Sequence, residues 1–299
     1  MGNRETSILV TDSGLGGLSV FSGMAGALAK DGRYDRVSLI YFNAWPSQNK
    51  GYNHYPDREA RAKVFHNAMD AMAGFAPDHI YIACNTLSVI YPFTRFAKET
   101  SIPVTGIVDH GVDMIHRELV RDDQSRVVIF GTPTTVQENT HKTALIQKGI
   151  HPDRIITRGC LNLAGKIERD PFGDEVGAMI DENARAAAAQ LGKCSGKVFA
   201  ALCCTHFGYC REKFHAALAR HTGTGIGILN PNEEMVAGAC DTGGSPGQPE
   251  IRMRIFSRVT WEPSRINAYD RLLTPVSPAS VDALKHYTLD RDLFSIDID

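Results

Sequence analysis

Short apolar runs alternate with amphipathic stretches through most of this chain, and that alternation confines it to a narrow group of folds. Ser7–Thr11 reads as a strand, a Gly-rich turn follows, and Leu18–Lys30 reads as a helix. Val37–Phe42, His79–Ala83 and Val104–Val108 read as further strands, with a helix over Asp57–Gly74 and another running through Phe96. The alternation continues with helix Asp109–Leu119, strand Val127–Phe130, helix Val136–Lys148 and strand Ile155–Arg158. Helix Gly177–Leu191, strand Val198–Leu202, helix Arg211–His221 and strand Gly227–Leu229 complete it. Strands separated by helices of this length predict α/β units on mostly parallel sheets. A length of 299 residues accommodates two such sets. In such folds ligands gather outside the carboxyl ends of the strands.

The rest of the chain is less regular. Cys240–Glu250 is rich in Gly, Ser and Pro and reads as a linker, Arg252–Trp261 alternates like an edge strand, and Pro275–Asp299 mixes short helical stretches with Pro. The formal net charge of −2 gives no electrostatic reason to expect nucleic acid or a membrane surface as partner. No apolar run approaches the ~20 residues a membrane helix needs. The polar start, Met1 to Thr6, carries no visible secretory signal, and Gly2 with Thr6 fits only a short acylation pattern that arises by chance. Seven scattered cysteines argue against a disulfide framework and for a reducing cytoplasm. Cys203, Cys204, His206 and Cys210 lie close in sequence, but no second ligand pair has matching spacing, so no metal site is expected.

Three motifs carry chemistry. Thr11-Asp12-Ser13-Gly14-Leu15-Gly16-Gly17 joins a strand to a helix through three glycines. Taken alone it reads as a tight turn with Asp12 capping the helix, since it lacks dinucleotide-fingerprint spacing. Cys84-Asn85-Thr86 places a thiol at a strand end before a helix, where the helix N-terminus can stabilise a thiolate; a buried, inert cysteine is the commoner case. Cys204-Thr205-His206 puts an imidazole two residues from a second thiol, able to tune it or relay its proton. The bland alternative there is a core cysteine beside a capping histidine.

In combination, order and spacing these motifs resemble the glutamate racemases of the aspartate/glutamate racemase superfamily. Ile102 to Asp109, Gly131-Thr132-Pro133-Thr134-Thr135-Val136, and Cys160 followed by Glu168 extend the resemblance, which runs from about Ile8 to Val236. It implies two similar α/β domains facing across an active-site cleft, the first formed by residues 1–103 with 210–299 and the second by 104–209. It further implies a racemase that needs no cofactor, in which Cys84 and Cys204 are the two acid/base residues. Asp12 would assist Cys84, and His206, supported by Glu168, would assist Cys204. Ser13, Asn85, Thr86, Thr205, Gly51 and Thr135 would bind the substrate, a small amino acid or carboxylic acid. The resemblance also implies a homodimer.

The chain departs from that family after its second strand. Where the family has Gly-Asp-Thr, an Arg and then Pro-Tyr-Gly, residues 43–53 read Asn-Ala-Trp-Pro-Ser-Gln-Asn-Lys-Gly-Tyr-Asn, and only Gly51 clearly survives. Glu138 and His141 stand where Ser and Tyr are common. Lys50 could offer a cation to an extra carboxylate and Trp45 could cover an apolar group. The alternatives are therefore a racemase or isomerase of another substrate (aspartate, a hydantoin or another small acid), or a non-catalytic binding protein on the same scaffold.

Overall fold

The computed structural model describes residues 4–192, 194–240 and 247–297. The chain divides into two compact units: residues through Ile107 together with those from Met235 onward, and residues from Val108 to Glu234. Among the described residues, ten strands form two sheets: β1 Glu5–Asp12, β2 Arg36–Asn43, β3 His79–Ile82, β4 Val104–Gly106, β5 Arg126–Gly131, β6 Ile155–Gly159, β7 Val198–Cys203, β8 Ile226–Leu229, β9 Glu250–Ser257 and β10 Thr288–Leu289.

The first unit holds a six-stranded sheet in the order β10-β9-β2-β1-β3-β4. All of its pairings are parallel. Leu9, Ile40, Phe42, Ile80 and Ile82 project from it into one core with Val64, Phe65, Ala68, Met69 and Met72. Those last five lie on the helix Arg58–Ala73, whose buried positions recur at three- and four-residue intervals. Asp57 starts that helix by accepting the Ala60 N–H at 2.8 Å. The second unit holds a four-stranded sheet, β6-β5-β7-β8, again parallel throughout. Helix Asp174–Leu191 buries Val176, Ile180, Ala184, Ala187 and Leu191 against this sheet's core.

Several boundaries differ from the expected ones, each for a local reason. Residues 210–234 belong to the second unit rather than the first, because β8 pairs with β7. The strand expected to reach Val108 stops at Gly106, and a helix begins at Ile107. There the Ser88 hydroxyl accepts the Ile107 N–H and donates to the Ile82 carbonyl, both at 3.1 Å, which turns the chain. The helix expected over Val136–Lys148 is two helices, Pro133–Gln137 and Thr140–Gln147, parted at Asn139 with φ 55°. The strand expected at a sheet edge, β9, lies between β2 and the two-residue β10. Most of the Gly/Ser/Pro linker (241–246) and Gly2 lie outside the described residues. Among those described, no helix is long and apolar enough to cross a membrane.

Two consequences are testable. A Cβ placed on Gly17 would sit 2.6 Å from the Asp12 Cβ and 2.8 Å from its Oδ2, so only glycine lets the turn close over this buried carboxylate. Gly17→Ala is expected to lower stability by about 1–3 kcal/mol in urea titration; an unchanged midpoint would contradict the packing. Burial also pushes the thiols of Cys84, Cys160 and Cys203 up to about 12, and those of Cys210 and Cys240 up to about 11, from an ordinary 9.0. Between those values the folded thiols keep protons that the unfolded chain has lost, so stability falls as pH rises above about 9. Cys203→Ala should flatten that decline by up to ~1.4 kcal/mol per pH unit, and an identical slope in the variant would refute the assignment.

Candidate active site

Parallel register brings the three motifs to the carboxyl edges of the two sheets. In the first unit Asp12 pairs with Asn43, which pairs with Ser257, and Thr11 pairs with Ile82 two residues before Cys84. Cys84 occupies the N-cap position of helix Asn85–Ile90 in extended conformation. The Ser13 hydroxyl lies 3.2 Å from its sulfur. Burial is the main force raising the Cys84 thiol, to about 12, and the charge of Asp12 adds to it; the Ser13 hydroxyl and the N–H groups of Leu87 and Ser13 oppose the rise. The result is a thiol held protonated among donors arranged to receive a thiolate. Asp12 is buried and does not cap the following helix, whose N-cap is Gly17 with no side-chain cap.

Asn85 and Thr86 are buried beside Cys84, at the start of the same helix. Neither the amide nitrogen nor the amide oxygen of Asn85 has a hydrogen-bond partner among the described residues. Gly51 lies further along the loop after β2, in extended backbone against the Trp45 indole rather than in any described contact with Cys84. Lys50 is exposed, with its ammonium 4.0 Å from the centre of the Tyr55 ring.

In the second unit Gly131 pairs with both Gly159 and Cys203, so the ends of β5, β6 and β7 are level. Cys204 follows β7 in extended conformation and is 6% exposed. Its sulfur lies 3.8 Å from His206 Nδ1, and His206 Nε2 lies 2.8 Å from Glu168 Oε2. The buried Glu168 carboxylate is an acceptor for an Nε2–H, and that tautomer leaves Nδ1 free to accept the Cys204 proton. Thr205 is buried, and its carbonyl accepts the Asn232 side-chain N–H at 3.0 Å. Thr135 lies on the same edge, where it meets Thr132 Oγ1 through both its hydroxyl (3.0 Å) and its N–H (3.3 Å) and holds the turn together. Cys160 follows β6, with its sulfur 3.7 Å from the Arg158 carbonyl. Among the described residues, no group of three His, Cys, Asp or Glu side chains could hold a metal ion.

A groove of about 610 Å³ lies at the amino-terminal half of β1, β2 and β9, lined by Glu5, Ser7, Arg36 and Arg252 among others. Two of its arginines are exposed and ion-paired, Arg36 with Glu5 at 2.7 Å and Arg252 with Glu250 at 2.8 Å. Surface pairs of this kind contribute little, and the groove's lining residues include neither cysteine nor histidine.

Sequence reasoning missed the part played by the C-terminal segment. Asn43 Nδ2 donates to Ser257 Oγ at 2.8 Å, Gln48 Nε2 donates to the Thr260 carbonyl at 3.0 Å, and Thr260 N–H donates back to Gln48 Oε1 at 3.0 Å. The loop after β2 is thus clamped by residues that follow β9. It also missed Tyr52, immediately after Gly51, whose buried hydroxyl has no partner among the described residues.

Known proteins resemble the chain over the segment that carries these motifs. Residues 8–237 match the family model of the Asp/Glu/hydantoin racemases. Glutamate racemase of Helicobacter pylori (strain 26695) is 31% identical over 143 residues, which is 47% of this chain and 51% of that protein, and glutamate racemase of Aquifex pyrophilus is 27% identical over 144 residues, 47% of this chain and 50% of that protein. The chain spans about half the length of the curated relatives it matches. The structure of a Bacillus anthracis glutamate racemase isoform superposes with a TM-score of 0.71 at 19% identity, over 97% of this chain and 99% of that one. The Francisella tularensis glutamate racemase solved with D-glutamate superposes at 0.70 and 18% identity, over 99% and 98%. With the family match extending from β1 past Cys204 and Asn232, the chain belongs to the Asp/Glu/hydantoin racemase family.

Proposed function

We propose that the protein is an amino-acid racemase that inverts the α-carbon of a small acidic substrate by proton transfer, with Cys84 and Cys204 as its two acid/base groups. The observation that carries this reading is that each unit holds, just past the end of a strand, a buried cysteine with its own polar partners. These are Ser13 at 3.2 Å for Cys84, and His206 backed by Glu168 for Cys204. One thiolate removes the α-proton, the electron pair moves onto the substrate carboxylate, and the other thiol returns a proton to the opposite face of that carbon. The buried Asn85, Thr86 and Thr205 supply the polar groups to bind the substrate's amino and carboxylate groups.

The two environments divide the roles. Cys84, raised to about 12, rests as the thiol and gives the proton first. His206 Nδ1 is positioned to take the proton of Cys204, and Glu168 stabilises the imidazolium so formed. Glutamate is the first substrate to test, given the curated relatives. The altered loop at residues 43–53 favours a second reading in which the same chemistry serves another small acid.

Incubating the chain in deuterated water with L- and D-amino acids and small diacids tests the proposal. At least one acid should gain deuterium at the α-carbon while its optical activity decays. Glu168→Gln should slow exchange of the enantiomer that Cys204 deprotonates by roughly 10–100-fold and slow exchange of the other enantiomer less. Absence of exchange with every acid, or equal loss for both enantiomers, would count against the assignment.

A further inference from the structure

The turn that carries His206, Thr205–Cys210, is tied at its start, middle and end to one short stretch of chain, Asn230 to Glu233, in the same unit. At the start, Asn232 Nδ2 donates to the Thr205 carbonyl at 3.0 Å. In the middle, Asn230 packs so closely on Gly208 that a Cβ there would sit 3.1 Å from Asn230 Nδ2. At the end, Arg211, the residue after the turn, donates through Nη1 to Glu233 Oε1 at 2.8 Å. The stretch is also braced internally. The Asn232 N–H donates to Asn230 Oδ1 at 3.3 Å, and Asn230 Nδ2 donates to Glu233 Oε1 at 3.1 Å. The exposed Arg211–Glu233 pair adds little by itself. The bond from Asn232 is different, because Asn232 and Thr205 are 3% and 2% exposed, and a buried carbonyl that loses its donor is costly.

That bond reaches the chemistry through one peptide plane. The Thr205 carbonyl and the His206 N–H belong to the same planar unit, so fixing the oxygen fixes the direction in which the chain enters His206. The imidazole is held separately at its far side, where Nε2 meets Glu168 Oε2 at 2.8 Å. Backbone and ring are then both anchored, with Nδ1 3.8 Å from the Cys204 sulfur. This is a long contact, so a small displacement of the ring weakens the proton path. We infer that Asn232 is a positioning residue, which sets the His206 imidazole against Cys204 by holding the Thr205 carbonyl. This inference rests on the roles of Cys204 and His206 proposed above, and Asn232 is not among the residues that the resemblance supplied.

Alkylation of the full chain by iodoacetamide across a pH series, read cysteine by cysteine in peptide mass spectra, tests the inference without any substrate. A displaced imidazole takes the Cys204 proton less readily. In Asn232→Ala the pH at which Cys204 becomes half-reactive should therefore rise by about half a unit, while Cys84 and Cys203 keep their profiles. Asn230→Ala, which removes the acceptor of the Asn232 N–H, is the second variant if the first fails to fold, with the same direction and a smaller size. In parallel, α-deuterium exchange should fall about five- to tenfold for the enantiomer that Cys204 deprotonates, and less for the other. A Cys204 profile that does not move, or three profiles that move together as in a general loosening, overturns the positioning role. A shifted Cys204 profile in a chain that exchanges no acid would keep the positioning role and refute the racemase; exchange with an unmoved profile would do the reverse.

Discussion

Every strand within each sheet runs in the same direction, and the site depends on that constraint. Parallel pairing sends all carboxyl ends to one edge, so residues far apart in sequence meet there without long excursions of the chain. In the first unit the edge collects Asp12, Asn43, Cys84 and Ser257 from four adjacent strands or the residues just beyond them. In the second it collects Thr132, Cys160 and Cys204. The cores beneath are apolar on both sheet faces, as parallel sheets covered by helices require.

Burial then sets the chemistry. A thiol in such a place resists ionisation, and Cys203, fully buried in β7, shows burial acting alone, with no other cause contributing to its rise to about 12. Cys84 reaches a similar value but differs in kind, because a hydroxyl and two backbone N–H groups oppose the rise. Cys204 has an imidazole and a buried carboxylate in line behind it. These buried cysteines thus differ in the polar groups that lie within about 4 Å of sulfur.

Local patterns made the α/β class legible, because alternating apolar runs and helical spacing are properties of contiguous residues. The local settings of Cys84 and Cys204 were legible for the same reason, since Asn85, Thr86, Thr205 and His206 are their near neighbours in sequence. Residues 210–234 were misplaced because unit membership follows strand pairing, which β8 completes only by meeting β7. The cap expected at Asp12 failed because the glycines let the turn fold back over that carboxylate instead of placing it at the helix start. The clamp on the β2 loop joins Gln48 to Thr260 across more than 200 residues, and no local spacing announces such a pair. The orphaned hydroxyl of Tyr52 is a property of its surroundings, so only coordinates reveal it.

The central claim is that each cysteine handles a proton at the same carbon, one per face. Enantiomer-resolved exchange in single-cysteine variants tests it most directly. With Cys204→Ala the remaining Cys84 should exchange the α-hydrogen of one enantiomer without inverting it, and with Cys84→Ala the remaining Cys204 should do so for the other, neither variant racemising. If both variants label the same enantiomer, or either still racemises, the two-cysteine account is wrong.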